Sequence, residues 1–167
     1  MAQQTYVFRA ELLGFEGVRR TVTVHDDLTL VDLHYALQSA FGWDDDHLYS
    51  FWLDGAFWGD EEWHYMHPIH SASLVPRGKS ACARLDELDL TEGQPIAYVF
   101  DFASEWRVAL TLQDKRPVEG RAAARCIERV GVAPQLRDDL LHREPAPETG
   151  QATFEFVALM SEEGDAA

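Results

Sequence analysis

The chain has 167 residues, 46% hydrophobic and 11% aromatic, with 29 acidic against 14 basic side chains and a formal net charge of -15. That length fits one domain with a real core, and the apolar content excludes a disordered chain. Phosphate backbones and anionic membrane surfaces repel so acidic a chain, which argues against nucleic acid as a partner, and no apolar run reaches the roughly 20 residues of a membrane-spanning helix.

In chain order, Tyr6, Phe8, Ala10 and Leu12 alternate with Val7, Arg9, Glu11 and Leu13, the period of a strand. A turn at Gly14 to Gly17 leads to a second alternating run over Val18 to Val24, and so short a connection predicts an antiparallel N-terminal hairpin. Thr29 then stands where a helix N-cap belongs, with Asp32 three residues on as in a capping box. Leu30, Leu33, Leu37, Ala40 and Phe41 share one helical face, and Gly42 follows as a left-handed C-terminal stop. After the acidic corner Asp44, Asp45 and Asp46, residues His47 to Leu53 read as a third strand. Asp54-Gly55 reads as a hairpin turn, with Ala56 to Trp58 as a short returning strand.

Gly59 to Ala83 breaks the pattern and reads as a long surface loop, and Ala83 to Leu90 contains one helical turn. The next hairpin places Ile96, Tyr98, Phe100 and Phe102 on one face and turns at Ala103 to Glu105. Trp106, Val108, Leu110 and Leu112 return, with Phe102 facing Trp106 and Asp101 across from Arg107. Arg121 to Val130 has helical composition, stopped by Gly131, and Gln135 to Arg143 reads as a further helix. Thr153 to Met160 reads as a closing strand. The domain is expected over residues 1–160, with a disordered acidic tail over 161–167.

The block AFGWDDDHLYSF after an amphipathic helix, followed about fifty residues later by YVFDFASEWRVAL, resembles the plasmid pRiA4b ORF-3-like proteins of bacteria and archaea. The likeness spans most of Tyr6 to Pro134. It rests on Leu33-His34, Gly42-Trp43-Asp44-Asp45, His47-Leu48, Phe51, Tyr98, Asp101-Phe102 and Trp106-Arg107. It implies an α+β fold, with one main helix and shorter helical pieces on a mixed, largely antiparallel sheet, and a setting among plasmid or mobile-element genes. The chain departs from the family pattern at Gly17-Val18, where a tryptophan usually precedes the paired arginines. Arg125 to Pro134 resembles the family's cysteine-to-proline segment, which the resemblance implies is irregular.

The residues that carry the resemblance are also the candidate binding residues: Trp43, Asp44, Asp45, His47, Asp101, Trp106 and Arg107. Each block sets a tryptophan beside acids at a turn, so the two are expected to meet, with Trp43 and Trp106 buried near each other and Arg107 tied to an aspartate. His47 beside three acids has the makings of a general base with its orienter, although aspartates also serve corners by bonding their own backbone. His64, His67 and His70, three apart beside Asp60 to Glu62, suit a divalent metal, while Pro68 prevents one helix from presenting all three; the other reading is a polar loop. His34 reads as a boundary residue of the helix stripe. Arg121 to Arg143 also admits a helix-turn-helix reading for DNA, against the surrounding charge.

No catalytic fingerprint such as GxSxG, HExxH or CxxC occurs. Cys82 and Cys126 form neither a metal pair nor a disulfide framework, and no signal segment opens the chain, so the expected setting is the reducing cytoplasm. The leading functional expectation is a non-catalytic binding or interaction module for a protein or small-molecule partner, acting without a cofactor. A metal-dependent enzyme built on the histidine loop is the alternative, and DNA binding the third.

Overall fold

Alternating runs bury their apolar sides only by pairing, and eight of them do so in one sheet. The computed structural model describes residues 3–44, 47–71, 78–120 and 122–135, and the side chains of these except those of His70 and Ser71. The strands are β1 (Gln4–Leu12), β2 (Arg19–His25), β3 (Tyr49–Trp52), β4 (His64–Met66), β5 (Lys79–Ser80), β6 (Pro95–Phe100), β7 (Trp106–Pro117) and β8 (Ala124–Val130). They lie in the order β5-β4-β3-β6-β7-β1-β2-β8, antiparallel throughout except for the parallel pair β4 and β5. One main helix, α1 (Leu30–Phe41), a short α2 (Pro68–Ser71) and two 3-10 turns, Glu61–Trp63 and Leu85–Glu87, complete an α+β fold with the N-terminal hairpin β1-β2.

Local chemistry sets both ends of α1. The Thr29 side chain accepts the Asp32 N–H, and Asp32 accepts the Thr29 N–H at 2.8 Å, so each satisfies an orphan donor of the first turn. Gly42 stops the helix at φ 75°, which its lack of a Cβ permits. Leu30, Leu33, Leu37, Ala40 and Phe41 are buried in one core with Phe8, Phe100, Val108, Leu110 and Leu112 of the sheet. Among the described residues the opposite sheet face carries a small cluster of Trp52, Ala97 and Val99, with Phe57 and Phe102 against it.

The last turn of α1 has no basic residue of its own. Two arginines from neighbouring strands supply the missing charge. Arg20, 5% exposed, donates Nε–H to Ala40 O at 2.8 Å and Nη1–H to Arg19 O and Val130 O, and Arg129 donates to Ala40 O at 2.7 Å. Cations at a helix C-terminus complement its dipole. Burial, and then the neighbouring Arg129, hold the Arg20 guanidinium below its ordinary pKa. Arg20→Met keeps the stem but removes these donors, and is expected to lower folding stability by about 1–3 kcal/mol, because the Val130 carbonyl loses its guanidinium partner. Chemical denaturation measures it; an unchanged midpoint would reduce the clamp to decoration.

Four sequence expectations change. Residues Ala56 to Trp58 form turns rather than a strand, because Trp58 takes φ 57°, a left-handed conformation that no strand accommodates. The stretch from Gly59 to Ala83 is not all loop. It holds β4, α2 and β5, since pairing of Ser50 with Met66 satisfies the backbone of β3 on its far side. The β6-β7 register is two residues shorter than read. Phe100, not Phe102, faces Trp106, and Val99, not Asp101, faces Arg107. Asp101 and Glu105 take φ 57° and 51°, which closes a wide turn and takes Phe102 out of the strand. Finally, Ala124–Val130, expected as helix, is a strand, while residues 131–134 carry no regular structure. Residues 124–130 pair with β2 as an edge strand, so the helix-turn-helix reading loses its first helix. Gln135 to Arg143 beyond its first residue, Thr153 to Met160 and residues 161–167 lie outside the described residues.

Candidate functional site

The two blocks meet. Trp43 follows the Gly42 stop, and its ring stacks between Phe41 (4.7 Å between centroids) and Phe100 (5.6 Å). Trp106 opens β7 and lies 5.8 Å from Trp43, stacked on its other side by Phe15 at 5.6 Å. Trp43 is 7% exposed and Trp106 1%. The Trp43 indole N–H donates to Pro134 O at 3.1 Å, so the segment after β8 folds back over the end of α1. The tryptophan pair therefore stands in a closed core and presents no face to a ligand.

A few ångströms away the same junction opens. Asp101 donates its N–H to Leu48 O at 2.8 Å, which ties the hairpin turn to the corner before β3. Its carboxylate accepts the N–H groups of Ala103 and Ser104 and, at 2.5 Å, the Ser104 hydroxyl. Those bonds hold the left-handed turn that no strand register supplies. His47 Nε2 lies 3.6 Å from the same carboxylate, and its ring sits edge-on to Phe100. Here His47, Leu48, His67, Ile69, Asp101, Phe102 and Ala103 line a groove of about 460 Å³. That volume suits a small molecule or a few residues of peptide.

Of the other candidates, Asp44 is exposed outside this lining, and Asp45 lies outside the described residues. Arg107 was expected on an aspartate. It instead forks onto Glu105 Oε2, with bonds of 3.1 and 2.7 Å, and lies over the Phe57 ring, because the observed register sets Val99 rather than Asp101 across from it.

The histidine row does not converge. His64 stacks on Trp52 at 4.5 Å and 7° and shares a 2.8 Å hydrogen bond with Ser50, all on the face away from α1. His67, an odd number of positions further along, packs edge-on to Tyr49, on the helix side. The His70 side chain is outside the described set. Among the described residues no three histidine, cysteine, aspartate or glutamate side chains gather as metal ligands.

Sequence reasoning missed a buried polar group behind the groove. His34 is fully buried rather than a boundary residue. Its Nδ1 lies 2.7 Å from the Tyr98 hydroxyl, which also accepts from Gln38 Nε2 at 3.0 Å. The Tyr98 hydroxyl thus joins two side chains of α1 across the buried interface with the sheet. The His34 ring stacks on Tyr49 at 3.6 Å, so Tyr49 is a wall shared with His67. The spacing of His34 and Gln38, four apart on one helix, was the available signal.

The family model of the plasmid pRiA4b ORF-3-like protein matches residues 4–136. The chain belongs to this family. A curated relative, the uncharacterized protein y4hQ of Sinorhizobium fredii, is 29% identical over 119 residues, covering 70% of this chain and 57% of the relative. The chain thus spans little more than half the length of that relative. A crystal structure of a protein of unknown function from Methanosarcina mazei, MM3350, shares the fold at a TM-score of 0.66 and 20% identity, covering 93% of this chain and 90% of the other. In this pRiA4b ORF-3-like chain the residues that carried the likeness do two jobs. Leu33, His34, Phe51, Tyr98, Trp43 and Trp106 build the buried junction, while His47, Leu48, Asp101 and Phe102 border the groove. Among the described residues no helix is long and apolar enough to cross a membrane.

Proposed function

We propose that this protein is a non-catalytic binding module, and that its ligand seats in the groove bounded by His47, Leu48, His67, Ile69, Asp101 and Phe102. One observation carries the reading: both sequence blocks build this junction, and His47, Leu48, Asp101 and Phe102 from them border a groove of about 460 Å³. Trp43 and Trp106 supply its rigid back, which a precise site requires. The reading sets the protein in the cytoplasm, among the plasmid or mobile-element genes after which the family is named, with a protein or small-molecule partner.

Backbone amide NMR with a library of small fragments tests it. Binders are expected to shift the signals of Leu48, Ile69 and Ala103 together. Ala103→Trp fills the groove from the turn, away from the main core, and should weaken those binders by about tenfold or more while the melting temperature holds. Shifts that cluster elsewhere, or that survive the plug, would discard the groove as the site.

A further inference from the structure

We infer that the groove's ligand is an uncharged molecule that offers a carbonyl-type acceptor beside apolar groups, an inference that rests on the groove being the binding site. The hydrogen bonds already made by its lining side chains decide the matter by elimination. A cation needs a carboxylate with spare capacity. Among the described residues the one carboxylate lining the groove is that of Asp101, and it already accepts three hydrogen bonds, from the N–H groups of Ala103 and Ser104 and from the Ser104 hydroxyl, with His47 Nε2 3.6 Å away. A carboxylate has about four lone-pair sites, so little is left over.

An anion needs an uncompensated positive charge. Among the described residues the lining holds no lysine or arginine, and His47 is opposed by Asp101. His67 accepts the Ile69 N–H on Nδ1 at 3.0 Å, so that nitrogen is already engaged within the chain. The exposed Asp44 and the net charge of -15 further disfavour an anion. Burying a charge without a partner is costly, so both charged classes lose.

What the lining does offer is a donor and apolar walls. With Nδ1 accepting, the His67 proton sits on Nε2, and this N–H is the ring's remaining hydrogen-bonding group. Leu48, Ile69, Phe102 and Ala103 supply the walls, and Ile69 is 72% exposed although apolar. The complement is an acceptor flanked by hydrocarbon. An amide carbonyl meets that description, whether it comes from a small amide or from the backbone of an apolar peptide.

A matched series of one chain length separates these classes: N-hexylacetamide, heptanoate and hexylammonium, with a tri-leucine peptide capped at both ends as the fourth probe. NMR titration follows the Leu48, Ile69 and Ala103 amides and the His67 imidazole. The neutral amide and the capped peptide are expected to bind in the groove, with the two charged probes weaker by about tenfold or more. Tighter binding of the peptide would assign the source as a protein segment, and tighter binding of N-hexylacetamide a small molecule; either supports the neutral class. His67→Phe keeps a ring against Tyr49 but removes the donor, and Ile69→Ser removes an exposed wall that folding does not need. Each should weaken the amide by about fivefold or more. Heptanoate or hexylammonium binding in the groove as tightly as the amide would overturn the neutral class while leaving the groove as the site. Silence from all four probes would remove both readings, and wild-type affinity in both variants would overturn the class.

Discussion

Trp106→Ala is expected to cost about 3–5 kcal/mol of folding stability, the range for deleting a large buried aromatic. The ring is 1% exposed, stacked on Phe15 and tilted on Trp43, and its residue pairs with Phe100 at the first rung of the β6-β7 hairpin. Removing it leaves a void where the turn, the end of α1 and the β1-β2 loop come together. For a domain of this size such a loss lowers the melting temperature by about 6–20 °C. Trp106→Phe keeps a stacking ring and should retain most of that stability. Because the groove is built on the same turn, the alanine variant should also loosen the Asp101 turn, seen as faster amide exchange at Ala103 and Ser104. A loss under about 1 kcal/mol would mean that the two blocks only serve their own turns.

Leu37→Ala is expected to cost about 2–5 kcal/mol. Leu37 is fully buried at the middle of the apolar stripe of α1, in one core with Phe100, Val108 and Leu110. Its neighbours come from both the helix and the sheet, so the site cannot collapse by moving a single element, which favours the upper part of the range. Tyr35, on the opposite side of the same helix and 53% exposed, is the control. Tyr35→Ala should stay within about 0.5 kcal/mol. Urea denaturation of both variants measures the contrast, and equal losses would mean that the helix buries a different face.

The helix shows why some of this was legible. Thr29, Asp32 and Gly42 act on backbone groups within four residues of themselves, and the Leu30-Leu33-Leu37-Phe41 stripe needs only the helical repeat. The β6-β7 register was not legible. Alternation specifies which residues share a face, and both registers keep Tyr98, Phe100, Val108 and Leu110 on the same one. The choice fell to the carboxylate of Asp101, which captured the N–H groups of Ala103 and Ser104 and bent the chain two residues early. Residues Arg121 to Val130 failed for a different reason. Their composition favours a helix, but β2 presented an open edge, and Val22 and Val24 drew Cys126 and Ala124 opposite them.

The candidate site divides along the same line. That Trp43 and Trp106 would meet was readable, because two tryptophans at turns each need a large apolar contact. That His47 would face Asp101, that His64 and His67 would part to opposite sheet faces, and that Leu48, Ile69 and Phe102 would wall a groove were not. The sequence by itself determined the helix with its caps, the N-terminal hairpin, the faces of the strands and the family, since these follow from short-range bonding, from periodicity and from residue order. Only the tertiary structure decided the strand partners, the turn at Asp101, the arginine clamp on Ala40 and the groove. Each of these depends on groups far apart in the chain competing for the same backbone hydrogen bonds and the same buried volume, and no local pattern records the outcome of that competition.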